Sequence, residues 1–362
     1  MRRAIKVIGI LAVVGTASVA LPALAQTSAQ SKTATYKPPR TADGKPSLEG
    51  NWTNATITPL ERPARFKDLV IPDSEIEKIT NEHPQVVRQR NDDNQDKNTK
   101  YDGKDLAGGR GYNAFWIDPG MTYNRIDGTY RSSFIVEPAN GRIPFKDARA
   151  AMARGGDDEE SEAAAPAGAA AARAPRGNFD GPESRPLGER CFLTSGSAGP
   201  PMMTYLYNNN YTIVQSPDSV AILAEMNNYA RVIRIGGKHV SKSIRPIHGD
   251  SIGHWEGDTL VVETTNFSPH HSRGRIALTE TAKVTEKFRR AAADQIVYEF
   301  TVEDPARYTQ PWRGEMSFMA TKDRVFEYAC HEGNYALPGI LAGAREEEKR
   351  MAAKTPQDAA KQ

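Results

Sequence analysis

A two-residue alternation of apolar and polar positions marks the second half of the chain. It is clearest over 295–303 and 312–318, where every second position except Gly314 carries a large apolar side chain. This period is typical of half-buried antiparallel strands. The inward positions predicted by it are Ile296, Tyr298, Phe300, Val302, Trp312, Gly314, Met316 and Phe318. Similar but shorter patterns predict further strands at 211–216, 219–226, 229–235, 258–265, 278–289 and 324–330.

Eight strands joined by short turns, without helical crossovers, predict an antiparallel meander. A closed barrel of eight strands encloses room for one small ligand. Gly50-Asn51-Trp52 adds a hint, because a Gly-x-Trp at the start of a first strand resembles the opening motif of lipocalin-type barrels. The predicted fold class is therefore mainly β, a lipocalin-like closed barrel, followed by a C-terminal helix from about residue 336.

The remaining chain divides by composition. A polar leader covers 26–40, and an irregular region rich in turn signals, expected to pack on the barrel, covers 41–146. A helix is predicted there from Asp73 or Ser74 to Gln89, interrupted at Pro84. The segment 147–186 is rich in Ala, Gly, Pro and charge, which predicts a disordered insertion. The barrel domain is expected over 187–342, with a charged helix end and tail over 343–362.

The N-terminus indicates export. A short cationic start precedes an uncharged run that ends in Ala23-Leu24-Ala25, a typical cleavage signal. The alternative is a retained membrane anchor, since the run approaches the length of a bilayer span. Cleavage after Ala25 removes three basic residues and changes the formal charge from +2 to −1. A near-neutral chain has no global electrostatic reason to bind nucleic acid or anionic lipid, and no stretch after the signal is apolar enough to predict membrane insertion.

The chain has two cysteines, Cys191 and Cys330. In an exported protein an isolated pair favours a disulfide, although two separate buried thiols are the alternative. Two cysteines without a CxxC do not make a structural zinc site, and no metal or cofactor is predicted.

Three segments are distinctive: 112–120, 249–267 and 327–335. The second contains Trp255-Glu256-Gly257-Asp258-Thr259-Leu260-Val261-Val262. Together they resemble a family of exported bacterial proteins that carry this W-E-G-D-T-L-V-V signature. The resemblance covers residues 41–347 except the low-complexity insertion, and it implies no particular reaction.

Candidate chemistry gathers near residue 250. Gly249-Asp250-Ser251-Ile252-Gly253 matches G-x-S-x-G, but a nucleophile elbow needs a helix after the serine, and a strand is predicted there. We interpret it as a turn. His248, Asp250 and His254 are candidate catalytic residues, because a histidine beside a carboxylate can serve as acid or base. A metal site built from the histidines is a weaker alternative, and hydrogen-bonded structural histidines are the simplest one.

The candidate ligand-binding residues are apolar barrel positions and a polar pair after the last predicted strand: Trp255, Tyr298, Phe300, Met316, Phe318, His331 and Glu332. The leading hypothesis is a periplasmic or secreted protein that binds a small apolar or aromatic molecule. The alternatives are an isomerase, hydratase or hydrolase on the same scaffold, and a structural envelope protein with a filled core. The sequence leaves the oligomeric state open.

Overall fold

A computed structural model describes residues 36–93, 118–147, 179–185, 188–192, 199–226, 229–269, 276 and 278–359. The predicted signal peptide and most of the predicted insertion lie outside these residues, as do His270 and His271. The described strands are β1 Gly50–Thr53, β2 Val70–Ile71, β3 Arg125–Ile126, β4 Thr129–Arg131, β5 Ile135–Glu137, β6 Asn210–Gln215, β7 Ser219–Ala224, β8 Tyr229–Ile235, β9 Asp250–Glu256, β10 Thr259–Thr265, β11 Lys283–Ala292, β12 Gln295–Glu303 and β13 Trp312–Ala320. The described helices are α1 Asp73–Asn81, α2 Pro84–Asp93, α3 Ala336–Ala359 and a 3₁₀ turn, η1 Pro182–Ser184.

Nine strands close into a barrel in the order β1, β6, β7, β8, β9, β10, β11, β12, β13, with β13 pairing back to β1. The short β1 makes the closure, because Trp52 pairs with Tyr211 of β6 and with Ala320 of β13. β5 adds to β13 outside the ring. The predicted lipocalin-like barrel is confirmed, with nine strands where eight were expected: seven of the predicted strands are present, and β1 from the N-terminal region and β9 complete the ring.

The barrel departs from a pure antiparallel meander at one place. β8 and β9 are parallel, with Arg234 opposite Ile252. The connection 236–249 carries the chain back so that β9 runs in the same direction as β8, and it begins with Gly236 and Gly237 at positive φ. Apart from β8–β9, every neighbouring pair in the ring is antiparallel.

β9 occupies residues that the sequence pattern assigned to a turn. Its inward side chains are Ser251, Gly253 and Trp255, so the face toward the core carries only one large apolar group. The two-residue alternation of apolar and polar side chains that marks the other strands is therefore weak in β9. The turn predicted at 249–253 is wrong, whereas the sequence Glu256-Gly257-Asp258 does form a hairpin turn, at Gly257–Asp258 between β9 and β10.

The predicted strand at 324–330 is wrong. These residues follow β13 as an irregular strap, which Asn51 holds by donating from Nδ2 to the Asp323 carbonyl at 3.1 Å. The Phe326 N–H donates to Glu225 Oε1 at 2.9 Å. Phe326 is 71% exposed, so the apolar positions that suggested a strand have no core to face.

The N-terminal region forms a small satellite core. β2, β4 and β3 make a three-stranded sheet, and a cluster of four buried residues lies beside it: Ile57, Ile71, Val86 and Tyr123. The predicted helix is confirmed as α1 and α2, with Pro84 as the first residue of α2, where a missing N–H costs no helical hydrogen bond.

Trp52 of the Gly-x-Trp motif lies at the start of the barrel and is 1% exposed. Its Nε1 donates to the Leu48 carbonyl at 2.9 Å. The Arg290 guanidinium lies 5.2 Å from the centroid of the indole, and Arg290 also donates to the Ser47 carbonyl at 2.9 Å. These contacts tie the segment before β1 to β11 across the barrel end.

Candidate functional site

The predicted wall residues of the barrel are core residues. Tyr298, Phe300, Met316 and Phe318 are each at most 1% exposed, and Trp255 is half-buried against the same cluster. The Tyr298 ring centroid lies 5.7 Å from that of Phe300 and 5.5 Å from that of Phe318. These side chains point inward as predicted, but they fill the interior by packing on one another.

The barrel also holds a charged pair that sequence reasoning missed. Arg231 of β8 and Glu286 of β11 form an ion pair with side chains 4% and 0% exposed. Arg231 Nη1 donates to Glu286 Oε1 at 3.0 Å. Its other nitrogens donate to Ser251 Oγ at 3.1 Å and Thr264 Oγ1 at 3.2 Å. Burial of both charges is compensated by this set of hydrogen bonds.

Tyr298 extends the network to the segment that covers the core. Its hydroxyl donates to Glu286 Oε1 at 2.7 Å and accepts from the Met202 N–H at 2.9 Å. Burial, followed by the nearby Glu286 charge, raises the pKa of Tyr298 well above its ordinary value. Met202 and Met203 are 2% exposed and belong to the core cluster. The tyrosine thus stays protonated and fixes this segment against the barrel.

The G-x-S-x-G segment is part of this interior. Ser251 is the second residue of β9, and its Oγ lies 2.8 Å from Thr264 Oγ1, inside the barrel. The sequence pattern indicates a turn here, but Ser251 lies within a strand, so it has neither the helix nor the exposure of a nucleophile elbow.

The three candidate catalytic residues take different positions. His248 is 2% exposed, just before β9. Asp250 is 8% exposed, and Arg234 Nη2 donates to its two oxygens at 2.7 and 2.9 Å. His254 is exposed on the outer face of β9, with Nε2 3.0 Å from Glu256 Oε1. The hydrogen bonds of Asp250 and His254 therefore go to different partners.

The histidine that Asp250 does contact is His239, in the 236–249 connection. His239 Nδ1 lies 2.8 Å from Asp250 Oδ2, and Nε2 lies 3.2 Å from Glu263 Oε1. Both ring nitrogens thus face carboxylates. The arrangement holds the connection to β9 and β10, and it presents neither nitrogen to a substrate.

A separate cleft lies at the disulfide. Cys191 and Cys330 are bonded, with Cα atoms 5.8 Å apart, which confirms the predicted bridge. The cleft has a volume of about 380 Å³, within the range of small-molecule sites. It is lined by Gly188, Glu189, Cys191, Tyr328, Ala329, Cys330, Gly333 and Asn334.

The polar groups of the cleft are fixed by local contacts. Asn334 Nδ2 donates to the Glu189 carbonyl at 2.8 Å, and its Oδ1 accepts from the Leu337 N–H at 3.3 Å. Arg185 donates to both oxygens of Glu189 at 2.7 and 2.9 Å, and this hydrogen bonding raises the pKa of Arg185. The two walls are therefore joined by a disulfide and by a side-chain hydrogen bond.

Exposed aromatic side chains lie in the two segments that form the cleft: Phe192 follows Cys191, Phe326 lies two residues before Tyr328, and Tyr335 follows Asn334. Phe192, Phe326 and Tyr335 are 51%, 71% and 82% exposed. His331 and Glu332 are exposed in the turn between Cys330 and Asn334. The His331 ring meets Phe192 edge to face at 6.4 Å, and the Arg190 guanidinium lies 5.1 Å from the Phe192 ring centroid. Two predicted ligand-binding residues, His331 and Glu332, thus lie beside the cleft.

Across the described residues, no group of three or more His, Cys, Asp and Glu side chains is arranged to hold a metal ion. In the same part of the chain, no helix is long and apolar enough to cross a bilayer. Comparisons of the sequence with protein-family models and with curated proteins found no match.

Proposed function

We propose that this chain is an exported β-barrel protein that binds a small aromatic or apolar molecule in the disulfide cleft. The observation that carries the proposal is the position of Phe192, Phe326 and Tyr335. All three are exposed and lie within two residues of a lining residue in the sequence, and the lining of this cleft of about 380 Å³ itself contains the aromatic Tyr328. Exposed apolar groups gathered at a concave site are typical of ligand binding.

The chemistry of the cleft supports an aromatic ligand with a polar substituent. The ring of Tyr328 in the lining favours stacked or edge-to-face contacts with an aromatic ligand. Glu189 and Asn334 place a carboxylate and an amide in the lining, and the peptide groups of Gly188 and Gly333 add donors and acceptors without side-chain bulk. A few polar groups in such a cleft orient a ligand.

The barrel interior is a weaker candidate for the same function. Its predicted wall residues are buried against one another, and Arg231 and Glu286 satisfy each other within it. A ligand there would have to displace Met202 and Met203 from the core. The barrel therefore serves in this proposal as the rigid base to which the strap 324–330 is fastened.

Export to the periplasm or beyond is part of the proposal. It is supported by the Ala23-Leu24-Ala25 signal and by the disulfide, because disulfides persist in oxidising compartments. Membership in the family with the W-E-G-D-T-L-V-V signature is also proposed. Those residues run from the end of β9 through its hairpin turn into β10.

The test is native mass spectrometry of the purified mature protein, followed by a fluorescence screen of small aromatic acids, amides and amines. Phe192→Ala and Tyr328→Ala are the cleft variants. Val214→Ala, on the outer face of β6 and 55% exposed, is the matched control. We expect binding that both cleft variants weaken at least tenfold and the control leaves unchanged. Equal affinity in all four proteins would reject the cleft as the site.

A further inference from the structure

His239 is enclosed by charged groups on the outer face of the barrel. Asp250 at the start of β9 and Glu263 on β10 contact its two ring nitrogens at 2.8 and 3.2 Å. The His239 side chain is 21% exposed, and those of Asp250 and Glu263 are 10% and 43% exposed. One histidine thus joins the 236–249 connection to two strands.

The protonation state of the His239 ring determines whether both contacts can be hydrogen bonds. A carboxylate only accepts hydrogen bonds, and a neutral imidazole has one N–H and one lone pair. Both contacts are hydrogen bonds only when the ring carries two protons. In the neutral ring, one nitrogen lone pair faces a carboxylate oxygen, and that contact becomes repulsive.

The neighbouring charged side chains do not remove the need for a doubly protonated His239 ring. Arg234 of β8 contacts Asp250, whereas Lys283 of β11 lies 3.9 Å from Glu263 Oε2 and 2.7 Å from Glu303 Oε1 of β12. The hydrogen bond to Glu303 raises the pKa of Lys283, so this lysine stays charged at neutral pH. It offers Glu263 an alternative partner when His239 is neutral.

The connection itself adds two exposed lysines, Lys238 and Lys242, and is also held at its ends, where the Gly236 N–H donates to the Gly253 carbonyl at 2.8 Å and His248 is buried, and by an ion pair between Arg245 and Glu280. The Val240 N–H donates to Asp250 Oδ2 at 3.0 Å, and Asn266 Nδ2 donates to the Val240 carbonyl at 3.0 Å. Ile244 in the same connection is 55% exposed. A change at His239 therefore acts on a segment with little apolar packing at its tip.

We propose that His239 is a proton-operated latch that holds the 236–249 connection on β9 and β10. The connection is fastened when the ring is protonated and loosened when it is neutral. Because the fastened state binds one proton more than the loosened state, raising the pH favours loosening. This inference is independent of the proposed ligand cleft and adds a regulatory element to the barrel.

The experiment is hydrogen–deuterium exchange of residues 236–249 between pH 5 and pH 9, corrected for the intrinsic pH dependence of exchange. NMR titration of the His239 ring is recorded on the same protein. We expect corrected exchange to rise about tenfold as the ring loses its proton, which corresponds to about 1.4 kcal/mol. Exchange that stays flat through that titration would overturn the latch.

Two variants separate the latch from general effects of pH. Glu263→Gln presents an amide that can donate to a neutral ring, so we expect the connection to stay fastened across the range. His254→Gln removes the exposed histidine paired with Glu256 and should leave the parent profile unchanged. A Glu263→Gln profile that matches the parent would contradict the proposal, and so would loss of the transition in His254→Gln.

Discussion

Arg231 and Glu286 face each other inside the barrel, and their side chains are almost completely shielded from water. β8 and β11 are not neighbours in the ring, so the pair joins two strands across the interior. Tyr298 and Ser251 complete the network on either side. The pair therefore specifies that β8 and β11 face each other across the barrel. Apolar packing alone is less specific, because many apolar side chains can pack against one another.

Replacing Arg231 with Met should destabilise the protein by about 3–5 kcal/mol, because it leaves the Glu286 carboxylate buried without its cation. Urea unfolding followed by tryptophan fluorescence measures the change. Arg289→Ala is the control, since Arg289 pairs with Asp127 at the surface and should cost about 1 kcal/mol or less.

The double variant Arg231→Met with Glu286→Leu tests the cause. Removing both charges should recover much of the stability that the single change loses. If the double variant is as unstable as the two single changes added together, the cost comes from lost packing rather than from an unpaired charge.

Gly314 of β13 is opposite Phe300 of β12, and the ring occupies the space where a Cβ would lie. A Cβ on Gly314 would be 2.3 Å from Phe300 Cζ. Gly314→Ala should therefore destabilise the barrel by about 1–3 kcal/mol through overpacking. Gly343→Ala in α3, where nothing lies within 4 Å of the added Cβ, is the control and should be neutral or slightly stabilising. Thermal melts of both variants decide between these outcomes.

The disulfide spans 139 residues of sequence. Replacing both cysteines with Ser should cost about 2–5 kcal/mol, because the open chain gains conformational entropy when unfolded. The double Cys→Ser change should also weaken ligand binding more than Gly314→Ala does, when the two proteins are compared at equal fraction folded. The reason is that only the loss of the disulfide separates the two walls of the cleft. Denaturation with and without reductant, alongside binding assays, checks both parts.

The predicted signal peptide gives a direct expectation for the exported protein. Intact-mass measurement of material recovered from a periplasmic or culture fraction should match a chain that begins at Gln26. A mass that retains residues 1–25 would contradict cleavage after Ala25 and favour the membrane-anchor alternative.

The strong strands of the barrel were predictable because their inward faces are large and apolar. Tyr298, Phe300, Met316 and Phe318 all point inward as their spacing indicated. β9 was not predictable in this way. Ser251 hydrogen-bonds within the polar network around Arg231, and Gly253 leaves room for the side chain of Ile233, so neither position carries an apolar side chain. The strap at 324–330 is the opposite case: its sequence resembles a strand, but its apolar side chains do not pack into a core.

The charged pair inside the barrel is visible in the sequence as charged residues at inward positions of two strands. Arg231 shares its face with Ile233, and Glu286 shares its face with Val284 and Phe288. A charge at an inward position of a strong strand needs a partner of opposite sign inside the fold. Its identity depends on strand order, which the pattern of one strand does not contain.

The cleft depends on irregular segments, whose geometry hydrophobic periods do not specify. The cysteine pair predicted which segments meet, and His331 and Glu332 were named beside it. Phe192 and Asn334 were not, because their roles follow from the backbone turns on each side of the bridge.

The most direct test of the central claim is an NMR map of amide shifts on adding the tightest small aromatic binder from the screen. The ligand-cleft account predicts the largest shifts in 188–192 and 328–335, with those of Tyr298 and Phe318 unchanged. Shifts concentrated on β12 and β13, or no binder in the screen, would contradict it.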